Sequence, residues 1–379
     1  MTIKGRLRRS LGWISFGLGM IALRVAVNWV PGVAEDMYGR GVFPLIRLVL
    51  DNTLGLLPLP AVYVLIPLLC IWLIRRRRLR RNEISSRSQR MGMRVLSTLA
   101  FLFAAAGLFL ILWGFNYARI PLRHQLALPL DPLEGKVLIG ELEQAAAGLN
   151  QWVQAASFNS TENLEERVRA AMAGTLQSMD WPAVGRPRVR VLYPGALLKA
   201  FGVSGIYNPF TGAATIAAGL PPPSRPFLMA HELAHAWGVT DEGEANLVAF
   251  LACTRNADAE MAYSAYLAWW EYLAGPVSGS HAKAFSRISA RLLPRVREDQ
   301  AAIRAHWRQY SGRLMRAARQ VNNMYLRSQG LAAGVISYDS FPALLRAWRR
   351  TRRAGPAISA TPAGSGVDAV EEAGGKTEE

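Results

Sequence analysis

Two long apolar stretches near the start of the chain each run for more than 20 residues without a charge, and they constrain its fold more than any other feature. The stretches are 52–74 and 95–118, and the second ends in Trp113 and Tyr117, which suit a membrane interface. About 20 apolar residues cross the hydrocarbon core of a bilayer as a helix. The prolines of the first stretch are tolerated in such helices where neighbours satisfy the freed carbonyls. Both stretches are therefore predicted to be transmembrane helices.

A third apolar stretch, 11–30, is interrupted by Arg24 and follows a basic segment, Lys4–Arg9. A secretory signal is the rival interpretation, but no convincing small-x-small cleavage site follows. The composition favours membrane segments, because 51% of the residues are hydrophobic and the mean hydropathy is +0.12. We predict a membrane region over 1–118 with three transmembrane helices.

Basic residues predict the orientation of these helices. The loop 75–94 holds nine arginines, whereas the loop 31–51 holds only Arg40 and Arg47. The positive-inside rule places 75–94 in the cytoplasm and the chain after residue 118 outside it. The net charge of +17 also permits nucleic-acid binding. The position of the arginine run between two spans makes that the weaker interpretation, so we expect membrane lipids and no nucleic acid as partners.

The segment 229–246 contains H-E-x-x-H, in which the two histidines are His231 and His235. Positions i and i+4 share one face of a helix, so both imidazoles can reach one Zn²⁺ ion. Glu232 stands beside the metal position, where a general base for a metal-bound water belongs. Gly238 suits the end of this helix. The alternative is a surface helix whose histidines merely pair with acids.

The third zinc ligand is expected among Asp241, Glu242 and Glu244. If a second helix starts near Asp241, Glu242 shares a face with small residues at positions three and four further on, so that face can approach the histidines. Glu244 would share its face with leucine and valine side chains, as core positions do. Asp241 completes H-E-x-x-H-x-x-G-x-x-D, a metzincin-like pattern, although no convincing methionine turn follows. Glu242 is favoured, and the other two remain alternatives.

The chain also resembles known families. Glu242 with Asn246 four residues later is similar to the second motif of gluzincins, the thermolysin-like group, which implies Glu242 as a ligand and Asn246 as the residue that orients a histidine. More closely, it resembles a bacterial, domain-of-unknown-function family of zincin-like membrane proteins. The resemblance rests on the H-E-x-x-H and E-x-E-A-N motifs and on Gly202-Val-Ser-Gly-Ile-Tyr-Asn-Pro-Phe-Thr-Gly212 and Val321-Asn-Asn-Met-Tyr-Leu-Arg-Ser-Gln-Gly330 with Gly334-Val-Ile-Ser-Tyr338. By this resemblance alone, Asn322, Tyr325 and Tyr338 are expected to line the cleft.

The remaining pattern predicts a mainly helical α+β domain over 119–353 with a small sheet. Alternation predicts strands at 188–193 and 213–218. The second could hold an extended substrate by backbone pairing, be a core strand of the sheet, or do both. One long polar helix is expected over about 281–329, and a basic amphipathic helix at Leu344–Arg353 is a candidate for lipid contact. The composition of 354–379 predicts a disordered tail.

Together these features predict an α-helical membrane region joined to a zincin-like metallopeptidase domain. The expected function is that of a zinc-dependent metallopeptidase of the bacterial inner (cytoplasmic) membrane, multi-pass, with an extracytoplasmic catalytic domain. Its substrate would be a peptide or protein, and Glu232 its catalytic base. The alternative from another class is a non-catalytic protein of the same fold that binds an envelope peptide or protein partner. A third possibility is a membrane structural protein with an accidental motif.

Overall fold

The computed structural model describes residues 3–30, 32–80, 86–158, 163–310, 312–328 and 340–353. The predicted tail, 354–379, and Tyr338 lie outside the described residues, as do the side chains of Asn322 and Tyr325. The described chain is mostly helical and carries one small sheet. Its α-helices are α1 Ile3–Val27, α2 Phe43–Asp51, α3 Val62–Arg80, α4 Arg87–Leu112, α5 Leu122–Gln125, α6 Gly135–Trp152, α7 Leu164–Gln177, α8 Gly195–Ala200, α9 Arg225–Ala236, α10 Glu242–Arg255, α11 Ala259–Ser280, α12 Ala282–Ala290, α13 Pro294–Arg308, α14 Arg313–Ser328 and α15 Phe341–Arg353. A π-helix spans Ala34–Val42. The strands of the sheet are β1 Val189–Leu192, β2 Gly205–Asn208 and β3 Ala213–Ala217.

Among the described residues, two helices are long and apolar enough to cross a membrane, Lys4–Val27 in α1 and Ser88–Leu112 in α4. They pack closely along each other, because Gly17 lies against the backbone of Phe103 and Gly107 against the ring of Phe16. Small residues at a helix crossing are typical of association within membranes. Length and composition thus keep these two segments as candidate spans.

The stretch 52–74 does not form one helix, contrary to the prediction. Helix α3 begins only at Val62, after Pro58 and Pro60, and its apolar part, Val62–Arg75, is shorter than the other two. The residue before a proline is pushed out of the helical conformation, and Leu57 is extended (φ −60°, ψ 137°). The two prolines therefore end the preceding turn instead of kinking a continuous helix.

Residues 34–57, which we predicted to be part of the membrane region, pack on the domain. Arg47 is 1% exposed, pairs with Asp51, and donates to the carbonyl of Gly212 at 2.9 Å. Arg119, just after α4, donates to both carboxylate oxygens of Glu35 at 2.7 and 2.9 Å. Buried ion pairs with further hydrogen bonds fix the relative position of the segments that share them. The predicted boundary at residue 118 therefore divides parts that are packed together.

The helical core of the domain is built by α6, α7, α9, α10 and α11, and it also takes in α15. The buried tryptophans of α11, Trp269 and Trp270, lie in this core. The apolar face of α15 is also buried, with Phe341 and Leu344 at 0% exposure, so the expected lipid contact is wrong for that face. On its basic side, Arg349 donates to Glu141 at 2.5 Å, and contact of this side with lipid headgroups stays a prediction.

The prediction of one long helix over about 281–329 is also wrong. The described residues of this range form three helices, α12, α13 and α14, and Pro294 is the first residue of α13. Proline suits the first turn of a helix and cannot continue one that precedes it.

The sheet has the strand order β1-β3-β2. β1 pairs with β3 in parallel, with Val189 opposite Ala214, and β2 pairs with β3 antiparallel, with Gly205 opposite Ile216. Because β3 is central, both of its backbone edges are already paired. It is therefore a core strand and has no free edge to hold an extended substrate. The strand with an open outer edge beside α9 is β2, as far as the described residues show.

Candidate metal centre

The H-E-x-x-H sequence lies on α9, which ends in a turn that brings the chain straight back to α10. Gly238 takes a left-handed conformation (φ +84°) and donates to the carbonyl of His235, while Val239 donates to that of Ala234 at 3.1 Å. Asp241 then caps α10, since its carboxylate accepts from the backbone N–H of Glu244 at 3.0 Å. The short reversal places the first turn of α10 against the last turns of α9.

Three side chains converge between these helices. His231 Nε2 lies 3.1 Å from His235 Nε2 and 3.1 Å from Glu242 Oε2, and the distance from His235 Nε2 to Glu242 Oε2 is 3.2 Å. All three residues are buried, and they form the group of possible metal ligands found among the described residues. Two atoms bound to one tetrahedral zinc at about 2.05 Å would lie about 3.3 Å apart. The triangle therefore has the size of three ligand positions around one zinc ion.

The other ring nitrogen of each histidine is held by an oxygen acceptor. His231 Nδ1 lies 2.8 Å from Asn246 Oδ1, and His235 Nδ1 lies 2.8 Å from the carbonyl oxygen of Val239. A carbonyl or amide oxygen only accepts, so each Nδ1 is the donor in its bond. When the ring is neutral, Nε2 then carries no proton and presents its lone pair to the centre. Asn246 is held in turn by a bond from its Nδ2 to the hydroxyl of Tyr272 at 3.0 Å. Outer partners of this kind fix the ring that a metal would contact.

The electrostatics favour a positive charge at the centre of this triangle. Burial alone would raise the pKa of Glu242, but the facing imidazoles of His235 and His231 hold that pKa below its usual range. Burial lowers the pKa of His235, yet the carboxylate of Glu242 outweighs it and raises that pKa to about 9. The same carboxylate that raises the pKa of His235 would attract a bound cation, and binding of that cation would favour the neutral imidazole.

Glu232 lies beside the triangle and under strand β2. Burial raises its pKa to about 7, against the opposing effect of the two histidines. A Cβ atom on Gly205 would lie 2.5 Å from Glu232 Oε1 and 2.8 Å from its Cδ. Only glycine therefore allows β2 to approach this carboxylate so closely. A buried carboxyl with a pKa near 7 can both accept and return a proton at neutral pH.

The two rival ligands are engaged elsewhere. Asp241 is the cap of α10, and Glu244 accepts the backbone N–H groups of Leu122 and Arg123 at 2.9 and 3.1 Å. Burial and the neighbouring Asp241 raise the pKa of Glu244 to about 7. Glu244 thus ties the start of α5 to α10, and Glu242 is the acid that the structure brings to the histidines.

Sequence reasoning missed three contributors to the site. Trp113 follows α4 directly and donates its indole N–H to the carbonyl of His235 at 2.9 Å. Ala236 lies in a buried cluster with Trp113, Phe43 and Tyr207. Gly205 stands in a motif that we quoted without assigning it a role, and Tyr272 carried no local signal. The end of the second candidate span is therefore attached to the backbone of a candidate metal ligand.

Comparison with known proteins gives a family match without an activity. The family model DUF3810, described as a protein of unknown function, matches residues 38–346. No curated protein and no solved structure matches the chain. The matched range begins in the π-helix and ends in α15, so it includes the packed segment 38–57 and the whole candidate centre.

Proposed function

We propose that this chain, which belongs to the DUF3810 family, is an integral-membrane zinc-dependent metallopeptidase. His231, His235 and Glu242 would hold Zn²⁺, and Glu232 would be the general base. The observation that carries the proposal is the triangle of two Nε2 atoms and one carboxylate oxygen, 3.1–3.2 Å apart, with both Nδ1 atoms anchored. Three protein ligands of these types leave one position for water or substrate, which is typical of catalytic zinc sites.

The chemistry divides between the ion and the chain. Zn²⁺, when bound, polarises a carbonyl and makes water a stronger nucleophile. Glu232 would accept the proton from the attacking water on its carboxylate and pass it to the leaving amine. Its burial suits that role, since the pKa of about 7 lies near the operating pH. Asn246 and the carbonyl of Val239 would keep the rings of His231 and His235 in place during the reaction.

The edge of β2 supports a polypeptide as the substrate. The backbone carbonyl of Ser204 accepts from the backbone N–H of Ala217 at 2.8 Å, so these two residues form a hydrogen-bonded pair. Hydrogen-bonded and non-hydrogen-bonded pairs alternate along an antiparallel ladder. The N–H and C=O groups of Gly205 and Tyr207 therefore point away from β3. An extended peptide could pair with them, and it would lie next to Glu232 because Gly205 contacts that carboxylate. The proposed substrate is accordingly a peptide or protein of the cell envelope.

The test uses the full-length protein purified in detergent without added metal and analysed for bound elements. Wild-type protein should carry about one zinc per chain. His235→Ala should lose it, while Glu232→Gln should keep the metal and lose hydrolysis of a denatured protein such as casein. The exposed His124 provides a matched control, so His124→Ala should retain both properties.

Two outcomes contradict the proposal, and they do so differently. A correctly folded wild-type protein without metal would exclude a zinc site altogether. Metal at full occupancy in a wild-type protein that hydrolyses no more than Glu232→Gln would favour a non-catalytic protein that binds an envelope partner.

A further inference from the structure

The segment 191–210 of the domain is mostly apolar, and the nearest arginines, Arg188 and Arg190, precede it in the sequence. Within residues 191–210, the only charged residue is Lys199, and it is 5% exposed. The same residues expose large hydrophobic side chains to the surroundings. These are Val191 at 39%, Tyr193 at 67%, Leu197 at 59%, Phe201 at 39%, Ile206 at 46% and Phe210 at 41%. A run of large exposed apolar side chains without charges is typical of a surface that another apolar phase covers.

This surface is attached to the start of α3. The hydroxyl of Tyr63, the second residue of α3, bonds to both the backbone N–H and the carbonyl of Tyr193. Arg190 spans the same junction, because its guanidinium donates to the carbonyl of Leu57 at 2.6 Å. Leu56 and Leu59, just before α3, are exposed at 61% and 42%. The exposed apolar side chains of the domain therefore continue onto those of α3.

Helix α3 indicates what covers this surface. From Tyr63 to Arg75 every residue of α3 is exposed, and the helix is apolar up to its arginines. A helix exposed on all faces with this composition is suited to lipid. Tyrosines at its start suit the boundary between hydrocarbon and headgroups, because the ring is apolar and the hydroxyl is polar. The surface joined to that start lies at the same depth.

We propose that Tyr193, Leu197, Phe201 and Ile206 form a lipid-contact surface that rests in the headgroup boundary of the leaflet facing the domain. Side chains of a membrane-surface element reach about 5–10 Å into that boundary. Leu197 on the short helix α8 and Ile206 on β2 would be its deepest members on the domain. The bilayer would then hold the edge of β2 at the membrane surface. The inference does not depend on zinc binding or hydrolysis.

The experiment measures depth with labelled cysteines in full-length protein in lipid nanodiscs. Cys70 is exposed and is replaced by serine, and Cys253 is fully buried and stays. A polarity-sensitive fluorophore is attached at Leu197→Cys or Ile206→Cys. Leu65→Cys on α3 provides the lipid-exposed reference, and Ser278→Cys on α11 provides the exposed reference on the domain. Each variant is measured with nitroxide lipids and with a water-soluble nickel quencher.

We expect labels at 197 and 206 to show blue-shifted emission and strong quenching by shallow nitroxide lipids, as at 65, and weak quenching by nickel. The label at 278 should show the reverse. Labels at 197 and 206 that behave as at 278 would overturn the proposal, because the surface would then face water. Protection from both quenchers would overturn it too, since a protein would then cover the surface. Phe201→Cys repeats the measurement if either variant fails to fold.

Discussion

Removing the amide of Asn246 tests the candidate metal centre without requiring a substrate. Asn246 Oδ1 is the acceptor for His231 Nδ1, and Asn246 is 1% exposed, so water does not readily replace it. In Asn246→Ala the imidazole of His231 is still present but loses the hydrogen bond that fixes its tautomer and orientation. The affinity for Zn²⁺ should fall while the three ligands remain.

Two general magnitudes estimate the size of this effect. A buried donor left without its acceptor costs about 1–3 kcal/mol. Loss of an outer partner of a metal-bound histidine lowers metal affinity by about 10- to 100-fold, which corresponds to about 1.4–2.7 kcal/mol. The two ranges overlap. Tyr272→Phe removes the hydroxyl that accepts from Asn246 Nδ2 but leaves Asn246 Oδ1 beside His231, so we expect a smaller loss of about three- to tenfold.

The assay is a competition titration of full-length protein against a chromophoric zinc chelator at fixed pH and salt. Asn150→Ala is a matched control, because Asn150 also makes two hydrogen bonds, to Arg291 and Leu293, but on a different part of the domain. Thermal unfolding of each variant separates loss of the site from loss of the fold. An Asn246→Ala variant that binds zinc within about twofold of wild type, or one that loses no more than Asn150→Ala, would refute the assignment of Asn246.

Three further predictions follow from the site and the helices. Glu242→Ala should lose bound zinc, whereas Glu244→Ala should keep it and unfold more easily by about 1–3 kcal/mol, because one buried and one half-buried N–H group lose their acceptor. The reverse order in elemental analysis would exclude Glu242. Gly205→Ala should keep the metal but lower casein hydrolysis about 100-fold, since the new Cβ displaces the carboxylate of Glu232. The control is Gly174→Ala, which has open space around it and should change neither metal content nor hydrolysis. Equal hydrolysis by both variants would exclude the role of Gly205. Fusions after residue 353 should give active alkaline phosphatase and dark green fluorescent protein, and the opposite pair would place the domain in the cytoplasm.

Local periodicity accounts for the part of the site that the sequence predicts. The spacing of His231 and His235 brings both side chains to one face of any regular α-helix, and both residues lie within the single helix α9. Glu242 and Asn246 are also four apart, so they share the face of α10 that meets α9. The role of Asp241 was available from the sequence as well, because an acid followed three residues later by Glu is a helix-start pattern. It would have removed one rival ligand.

Contacts between distant segments account for what the sequence did not predict. The approach of Gly205 to Glu232 depends on strand order, which puts β2 at the edge and β3 at the centre. No local pattern encodes that order. The amphipathic pattern of α15 is equally consistent with a lipid surface and a protein core, and the domain core takes its apolar face. Pro58 and Pro60 were read as kinks within a span, whereas they stand before the helix.

The ends of the two candidate spans and of the shorter apolar helix α3 bear on the side of the membrane that the domain occupies. Val27 near the end of α1, Tyr63 at the start of α3 and Trp113 just after α4 all lie at the domain, in the buried cluster around Tyr207 or in the bond to Tyr193.

The far ends of the same helices carry the basic segments, 4–9 before α1 and 75–94 between α3 and α4. In a topology in which α1, α3 and α4 all cross, the alternation of helix ends would put both basic segments on one side and the domain on the other. The positive-inside rule was applied to the loop alone, and the N-terminal segment agrees with it independently. The proposed topology, with a cytoplasmic arginine loop and the candidate zinc centre outside the cytoplasm, agrees with the hydrogen bond that attaches Trp113, at the end of α4, to the backbone of His235.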